Sequence, residues 1–291
     1  MRIGAIYPQT ELGGDVGAVK AFAQAAEDMG YDHLVIYDHV LGAEHTNREP
    51  KLAGPYENKD PFHEPLITYA YLAGVTERIE LVTGVLVLPQ RQTALVAKQS
   101  ADVDLFSGGR LRLGVGVGWN WVEYDGLELP GTFNKRGRRQ ETQIQLLRKL
   151  WAEQKINHKD DFHRIDRAGI LPLPKRQIPI WLGGSSDIAY NRAARLADGF
   201  LISGRSQDYA LKIKKHIEGQ LDKLGRDRDD FGFEVIQSYN RGPNRWPEDI
   251  ATWRDAGGSH ISVVTMGAKL AKIDDHIEAI RQWREIYDSL S

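Results

Sequence analysis

The feature that most constrains this chain is an alternation of strand and helix patterns that runs from one end to the other. A β-rich run from Arg2 to Pro8 precedes Asp15, a good N-cap, and then apolar Val16, Val19, Phe22, Ala23 and Ala26 on one helical face. Gly30 takes the C-terminal glycine position, and the chain re-enters a strand at His33 to Tyr37. Its Leu34, Val35 and Ile36 are consecutively apolar, as buried parallel strands are. The same grammar predicts helix 63–75, strand 79–88, helix 94–106 and strand 111–117. A long irregular stretch and a helix over 136–151 follow. Four strand–helix pairs then remain: 178–182 with 187–196, 199–202 with 208–224, 233–238 with 247–256, and 261–265 with 274–286.

Eight βα units in 291 residues, without a hydrophilic linker or a shift in composition, predict one α/β domain over 1–291. The expected fold is a (β/α)8 TIM barrel, whose usual size is about 250 residues. A doubly wound open sheet has the same local grammar, and periodicity alone does not separate the two. The additional length is concentrated after strand two, over 40–62, and after strand four, over 119–174. Both insertions belong on the C-terminal face of a barrel, where long structureless loops cover a site.

Composition narrows the function. The absence of Cys excludes disulfide scaffolds, thiolate metal sites, iron–sulfur clusters and cysteine nucleophiles. With 38 basic against 40 acidic residues, no overall field favours nucleic acid or an anionic membrane, so a small neutral or mixed-charge ligand is expected. The first residues lack the apolar stretch of a secretion signal, and no apolar run approaches the ~20 residues of a membrane helix. The expectation is a soluble, cytoplasmic protein.

Several motifs carry possible chemistry. Gly114-Val115-Gly116-Val117-Gly118 invites a dinucleotide reading, but Trp119 stands where the fingerprint needs its third glycine. Alternate glycines on a strand instead clear one face, so that a flat ring or a facing side chain can approach the backbone. Gly183-Gly184-Ser185-Ser186-Asp187 opens a helix and offers amides and hydroxyls to a phosphate, although an ordinary helix cap has the same sequence. Gly204-Arg205-Ser206 could add a cation to that anion. Asp38-His39 closes strand two on the functional face, where a histidine beside a carboxylate can exchange a proton near neutrality. His33 is expected to be packed, and His45, His63, His158 and His163 to face solvent. No histidine spacing matches a zinc site, so no metal is expected. A serine hydrolase lacks its G-x-S-x-G turn. A glycosidase would need a second carboxylate to pair with Glu123, and Glu234 lies too early in strand seven to supply it.

Taken in order, these segments resemble the bacterial luciferase-like monooxygenase family. The residues that carry the likeness are Tyr31-Asp32-His33 through Tyr37-Asp38-His39-Val40, Thr83-Gly84-Val85-Leu86-Val87-Leu88-Pro89, and Ser107-Gly108-Gly109-Arg110 through Trp119-Asn120. Arg136-Gly137 with Glu141 and Trp151, Ile178 through Ser185, and Ala193 through Gly199 continue it, so it covers nearly the whole chain. The resemblance implies a homodimeric (β/α)8 barrel that holds FMN or the deazaflavin coenzyme F420 at its C-terminal mouth. It also implies monooxygenation or hydride transfer on a small organic substrate, with a separate flavin reductase in the FMN case. Similarity of the strand-three and strand-four blocks tilts toward the deazaflavin branch. A non-catalytic flavin-binding relative is the alternative.

Carried over by resemblance, Asp38 and His39 stand beside the ring. Thr83, Gly84 and Val85 form a bulged strand-three segment that holds a non-proline cis peptide in many members. Gly116, Gly118 and Asn120 supply strand-four contacts, while Gly183, Gly184 and Ser185 face the phosphate tail, the anion to which Gly204 and Arg205, on the reading of their own residues, could add a cation. His39 is the first choice for proton donor, with Glu123 second. Trp119, Trp121, Tyr56 and Phe62 would line a lid. One departure is the missing proline near Gln92 and Thr93, which leaves the helix start there open.

Overall fold

The structure, a computed structural model, describes residues 1–12, 14–204 and 206–290. Arg205 therefore lies outside the described residues. Eight parallel strands close on themselves. They are β1 (Arg2–Ile6), β2 (His33–Ile36), β3 (Glu80–Thr83), β4 (Leu111–Gly116), β5 (Ile180–Gly183), β6 (Gly199–Ser203), β7 (Gly232–Ser238) and β8 (His260–Val264). Each pairs with its sequence neighbour, and β1 pairs with β8 in register from Arg2↔His260 to Ile6↔Val264. Closure rules out the open sheet and gives the barrel.

The helices on the outside are α1 (Val16–Asp28), α2 (Pro65–Ala73), α3 (Thr93–Phe106), α4 (Arg136–Ala152), α5 (Asp187–Leu196), α6 (Gln207–Lys223), α7 (Trp246–Asp255) and α8 (Ile273–Asp288). Local chemistry sets their ends. Asp15 caps α1 by accepting from the Gly17 and Ala18 amides, and Gly30 adopts φ +75 just past its end. Without the proline, α3 starts at Thr93 with Gln92 as an N-cap that makes no side-chain bond.

Period-two alternation builds the barrel interior in layers. At the bottom, His33, Glu234 and Ser262 point inward and bond one another, His33 Nε2 lying 2.8 Å from Glu234 Oε1. Arg112 adds a 2.8 Å ion pair to Glu234 and stacks 4.2 Å from the Trp181 ring. His33 is packed as expected, and Glu234 lies far below the mouth. Burial alone would raise the Glu234 pKa, but His33 and Arg112 hold it well below the usual carboxylate range. Two residues further along each strand, Ile6, Val35 and Val82 form an apolar plug, capped by Tyr37, Ile236 and Val264. Alternate residues such as Leu34, Ile36 and Val235 face the helices and join the main core around Phe22, Leu147, Ile217 and Trp283.

Two expectations need correction. The predicted continuous strand over 79–88 is broken: β3 stops at Thr83, a cis peptide joins Gly84 to Val85, and Leu86–Val87 re-pairs with β4. The insertion after β4 is also not structureless. It contains a short helix, Trp121–Gly126, before α4 and an antiparallel hairpin, Ile156–Lys159 with Arg164–Ala168, after it. Alternation that pairs two short strands on the barrel's flank is hard to tell from loop when neither strand is apolar.

Candidate active site

At the C-terminal mouth, a cavity of about 400 Å³ stands on Tyr37 and Ile236, the top of the apolar plug. Its wall includes Asp38, His39, Gly84, Val85, Val87 and Gly118, with Ser203 on the far side. Pro55 and Tyr56 from the insertion after β2 and Trp119 from the end of β4 close over it. The volume falls within the range of small-ligand sites, roughly 300 to 1,000 Å³, and the lining is mostly apolar with a few polar groups, as such sites are.

His39 occupies the centre of an aromatic box. Its ring meets those of Tyr56, Phe62 and Trp119 edge-on, at 5.4, 5.0 and 5.7 Å between centroids. Glu123 lies behind it, 1% exposed, on the short helix that Asn120 caps by accepting from the Glu123 amide. Oε1 of Glu123 accepts from the amides of Val40 and Leu41 at 2.7 and 3.1 Å, and Oε2 lies 3.3 Å from His39 Nδ1. Burial pushes the Glu123 pKa up, but the His39 ring and the two amides outweigh it and hold the carboxyl below its usual value. An ionised carboxylate only accepts, so Nδ1–H of His39 donates. The outer nitrogen, Nε2, is left without a protein partner among the described residues.

Asp38 has a different role. Its Oδ2 accepts from the Val87 amide at 2.8 Å and its Oδ1 from Arg91 Nη2 at 2.7 Å, and Arg91 also pairs with Glu64 at 2.8 Å. Asp38 thus fastens the resumed part of strand three to the end of β2. Thr83, fully buried, donates its hydroxyl to the Gly114 carbonyl at 2.7 Å and does not reach the cavity.

Strand-three side chains and backbone, not open space, occupy the bare face of the glycine series. A Cβ on Gly116 would come within 2.4 Å of Val85 Cγ2, and one on Gly183 within 2.9 Å of Val85 Cγ1. Gly114 is pressed on the Thr83 carbonyl, and Gly118 on Val87 with φ +69, a conformation that favours glycine. Val85 therefore sits in a notch between β4 and β5 and offers its other side to the cavity. Asn120 is buried, with Nδ2 reaching the Leu41 carbonyl at 3.4 Å, and serves as a cap outside the lining.

Gly184 and Ser185 are exposed at the start of α5, and their amides take no partner among the described residues. Ser186 is the actual cap, its Oγ accepting from the Ala189 amide. One strand further round, Ser206 caps α6 by accepting from the Tyr209 amide at 3.2 Å. Gly204 lines a small cavity of about 30 Å³ that adjoins the main one at Ile236. Two helix N-termini thus stand side by side at the rim, but Gly184 and Ser185 do not line the main cavity.

Of the proposed lid, Tyr56 and Trp119 line the cavity, Phe62 supports His39, and Trp121 stands apart with its indole nitrogen buried and unbonded. Gly54 lies so close beneath Trp119 that a Cβ there would fall 2.2 Å from the indole ring. Ser203, Ile236 and Gly54 were not singled out from the sequence. The first two end inward-facing positions of β6 and β7, a signal that alternation could have supplied. The histidines expected to face solvent are mostly covered, His45 against Trp119 and His158 and His163 around Asp160.

A family model described as luciferase-like monooxygenase matches residues 2–239. An uncharacterized protein of Mycobacterium tuberculosis is 32% identical over 209 residues, covering 70% of this chain and 71% of its own. An F420-dependent glucose-6-phosphate dehydrogenase of Microbacterium testaceum is 29% identical over 225 residues, covering 75% of this chain and 63% of its own. Among solved structures, a monooxygenase of Streptomyces bottropensis superposes with a TM-score of 0.80 at 17% identity, covering 99% of both chains. That last likeness shows the fold.

Proposed function

The chain belongs to the luciferase-like monooxygenase family, and we propose that it is a coenzyme F420-dependent oxidoreductase that moves hydride to or from a small organic substrate. The observation that carries this reading is His39, held by ionised Glu123 and facing a cavity of about 400 Å³ walled by Val85 on one side and Trp119 on the other. Sequence likeness to an F420-dependent dehydrogenase favours the deazaflavin branch. The second reading, FMN-dependent monooxygenation served by a separate reductase, draws on the family's own description.

The residues present fit a flat redox coenzyme. Gly84, Val85 and Gly118 offer a low wall of backbone and one small side chain, and the amides of Gly184 and Ser185 at the start of α5 suit the phosphate of its tail. Gly204, at the start of the neighbouring loop, would stand near that phosphate. When bound, the coenzyme supplies the hydride chemistry; the chain supplies everything else. Tyr56, Pro55 and Trp119 exclude water from the reacting face. His39 Nε2 holds the substrate oxygen and gives or takes its proton, while Glu123 fixes the ring's tautomer from behind. Asp38 and Arg91 keep Val87, and through it the wall, in place.

Asp38 and His39 are the charged or titratable groups bordering the cavity besides tyrosine, and Asp38 is already paired. The substrate is therefore a small, largely uncharged alcohol, aldehyde or ketone. Among the described residues no helix is long and apolar enough to cross a membrane, and the reading is of a cytoplasmic protein built as one domain over 1–291. A homodimer fits the exposed apolar stripe on adjacent α2 and α3: Ile67 and Tyr71 are one turn apart, and Leu95 and Phe106 three turns apart. Anaerobic mixing of the protein with oxidised F420 and a panel of secondary alcohols tests the activity. Loss of the coenzyme's visible absorbance with at least one alcohol supports it; loss with none, in protein shown to bind F420, contradicts it.

A further inference from the structure

The hairpin between α4 and β5 gathers three metal-ligating side chains. His158, Asp160 and His163 each direct one ligand atom into a space where those atoms lie within 4.8 Å of one another. His158 Nε2 stands 2.8 Å and His163 Nδ1 3.0 Å from Asp160 Oδ2. The other carboxylate oxygen, Oδ1, is held by the amides of Phe162 and His163, both at 2.7 Å. Oδ2 thus has only the two imidazoles as partners among the described residues, while Oδ1 fixes the carboxylate's direction.

We infer that this cluster is a binding site for a divalent transition metal of the zinc class, separate from the coenzyme cavity. Two imidazole nitrogens and one carboxylate oxygen suit zinc or cobalt and not magnesium or calcium, which take oxygen ligands. Bonds of about 2.0–2.2 Å place tetrahedral ligand atoms roughly 3.4 Å apart, so the three atoms need only small rotations to admit the ion. The side chains are 20%, 18% and 11% exposed, which leaves one face open for a water as fourth ligand.

The outer shell is already built. His163 Nε2 lies 2.7 Å from the hydroxyl of Thr93, the first residue of α3, and that hydroxyl accepts from Gln143 Nε2 of α4 at 3.0 Å. Metal on Nδ1 requires the proton on Nε2, and Thr93 Oγ1 is placed to accept it, the arrangement that orients metal-bound histidines. Arg138, in the first turn of α4, is paired with Asp161 of the hairpin turn, so its charge is already engaged. Gln143 Nε2 also donates to the Arg91 carbonyl at 3.1 Å. The metal would clamp the hairpin to α3 and α4 next to the residue that holds Asp38.

The test uses the full chain, free of any affinity tag, titrated with Zn2+ alone and with Co2+ alone. The expected result is saturation at one equivalent, a visible cobalt band of four-coordinate intensity, and a rise in Tm. His158→Gln and His163→Gln should each weaken binding by about 100-fold or more. Asp160→Asn, whose Oδ1 still receives the two amides, should weaken it with the turn intact. No saturable binding of either metal by the wild type at roughly 100 μM would overturn the inference. So would equal binding by a folded His158→Gln/His163→Gln double variant.

Discussion

Nδ1 of His39 lies 3.3 Å from Oε2 of Glu123, across 84 residues of sequence, and donates to a carboxylate fixed by two backbone amides. The pair gives His39 one proton arrangement and leaves Nε2 as its working atom. His39→Ala should lower turnover by about 100- to 10,000-fold, the usual contribution of a general acid or base, and change coenzyme affinity little. Steady-state rates beside a fluorescence Kd separate the two; equal losses in both would remove the catalytic role.

Glu123→Gln should also slow turnover, because a carboxamide can donate as well as accept and no longer enforces one tautomer. The readout that a merely structural role would not move is the pH profile. Because the Glu123 carboxyl is held below its usual range, the wild-type kcat/KM profile should lose activity only at that low pH, where Glu123 takes up a proton, and Glu123→Gln should lack this ionisation. An unmoved profile would mean that Glu123 serves only to hold Val40 and Leu41.

Val85 and Gly116 form a matched pair. Gly116→Ala places a methyl 2.4 Å from Val85 Cγ2 and should destabilise the fold by about 1 to 3 kcal/mol through overpacking. Adding Val85→Ala should recover part of that loss, a coupling that urea denaturation of the two single variants and the double variant measures directly. Additive losses would show that Val85 does not fill the notch.

Gly54 plays a similar part in the lid. Its missing Cβ is what lets the Trp119 ring lie directly over it, since a methyl there would stand 2.2 Å from the ring. Gly54→Val should drive Trp119 toward His39 and raise KM for the substrate more than it lowers kcat. Unchanged KM, with unchanged Trp fluorescence, would show that the lid yields instead.

Acid should destabilise the protein well before the carboxylates titrate. Burial, with Arg112 beside it, lowers the pKa of His260 to about 2, so the folded protein keeps this ring neutral where the unfolded chain protonates it, below 6.5. The unfolded state then binds more protons, and stability falls as pH drops from 6.5 toward 2, by up to about 1.4 kcal/mol per pH unit. Urea midpoints at a series of pH values should show this slope, and His260→Phe should flatten it.

The architecture was legible because each βα unit announces itself locally. Asp15 and Gly30 bracket α1 by capping chemistry, and consecutive Leu34, Val35 and Ile36 mark a strand covered on both faces. His39 was legible for the same reason: it follows the end of β2 on the face where barrels keep their functional groups. What escaped were relationships across the chain. Asp38 could be read as a ring neighbour, but its bond to Arg91, 53 residues away, makes it a fastener. The alternate glycines marked a close approach without saying what approaches, and the occupant is Val85. Asn120 followed three residues later by Glu123 has the form of a cap, yet the Trp-, Gly- and Pro-rich run from Trp119 to Gly131 around them hid the short helix. His158 and His163 looked like solvent-facing residues because neither strand of their hairpin is apolar.

The central claim is that the mouth of this barrel holds a flat redox coenzyme beside His39. The most direct measurement is titration of the purified apoprotein with F420 and, separately, with FMN, following ligand fluorescence. F420 should bind at micromolar concentration or tighter and FMN more weakly, and Val85→Trp, which fills the cavity's low wall, should abolish binding. Failure of both coenzymes to bind the folded protein would contradict the account.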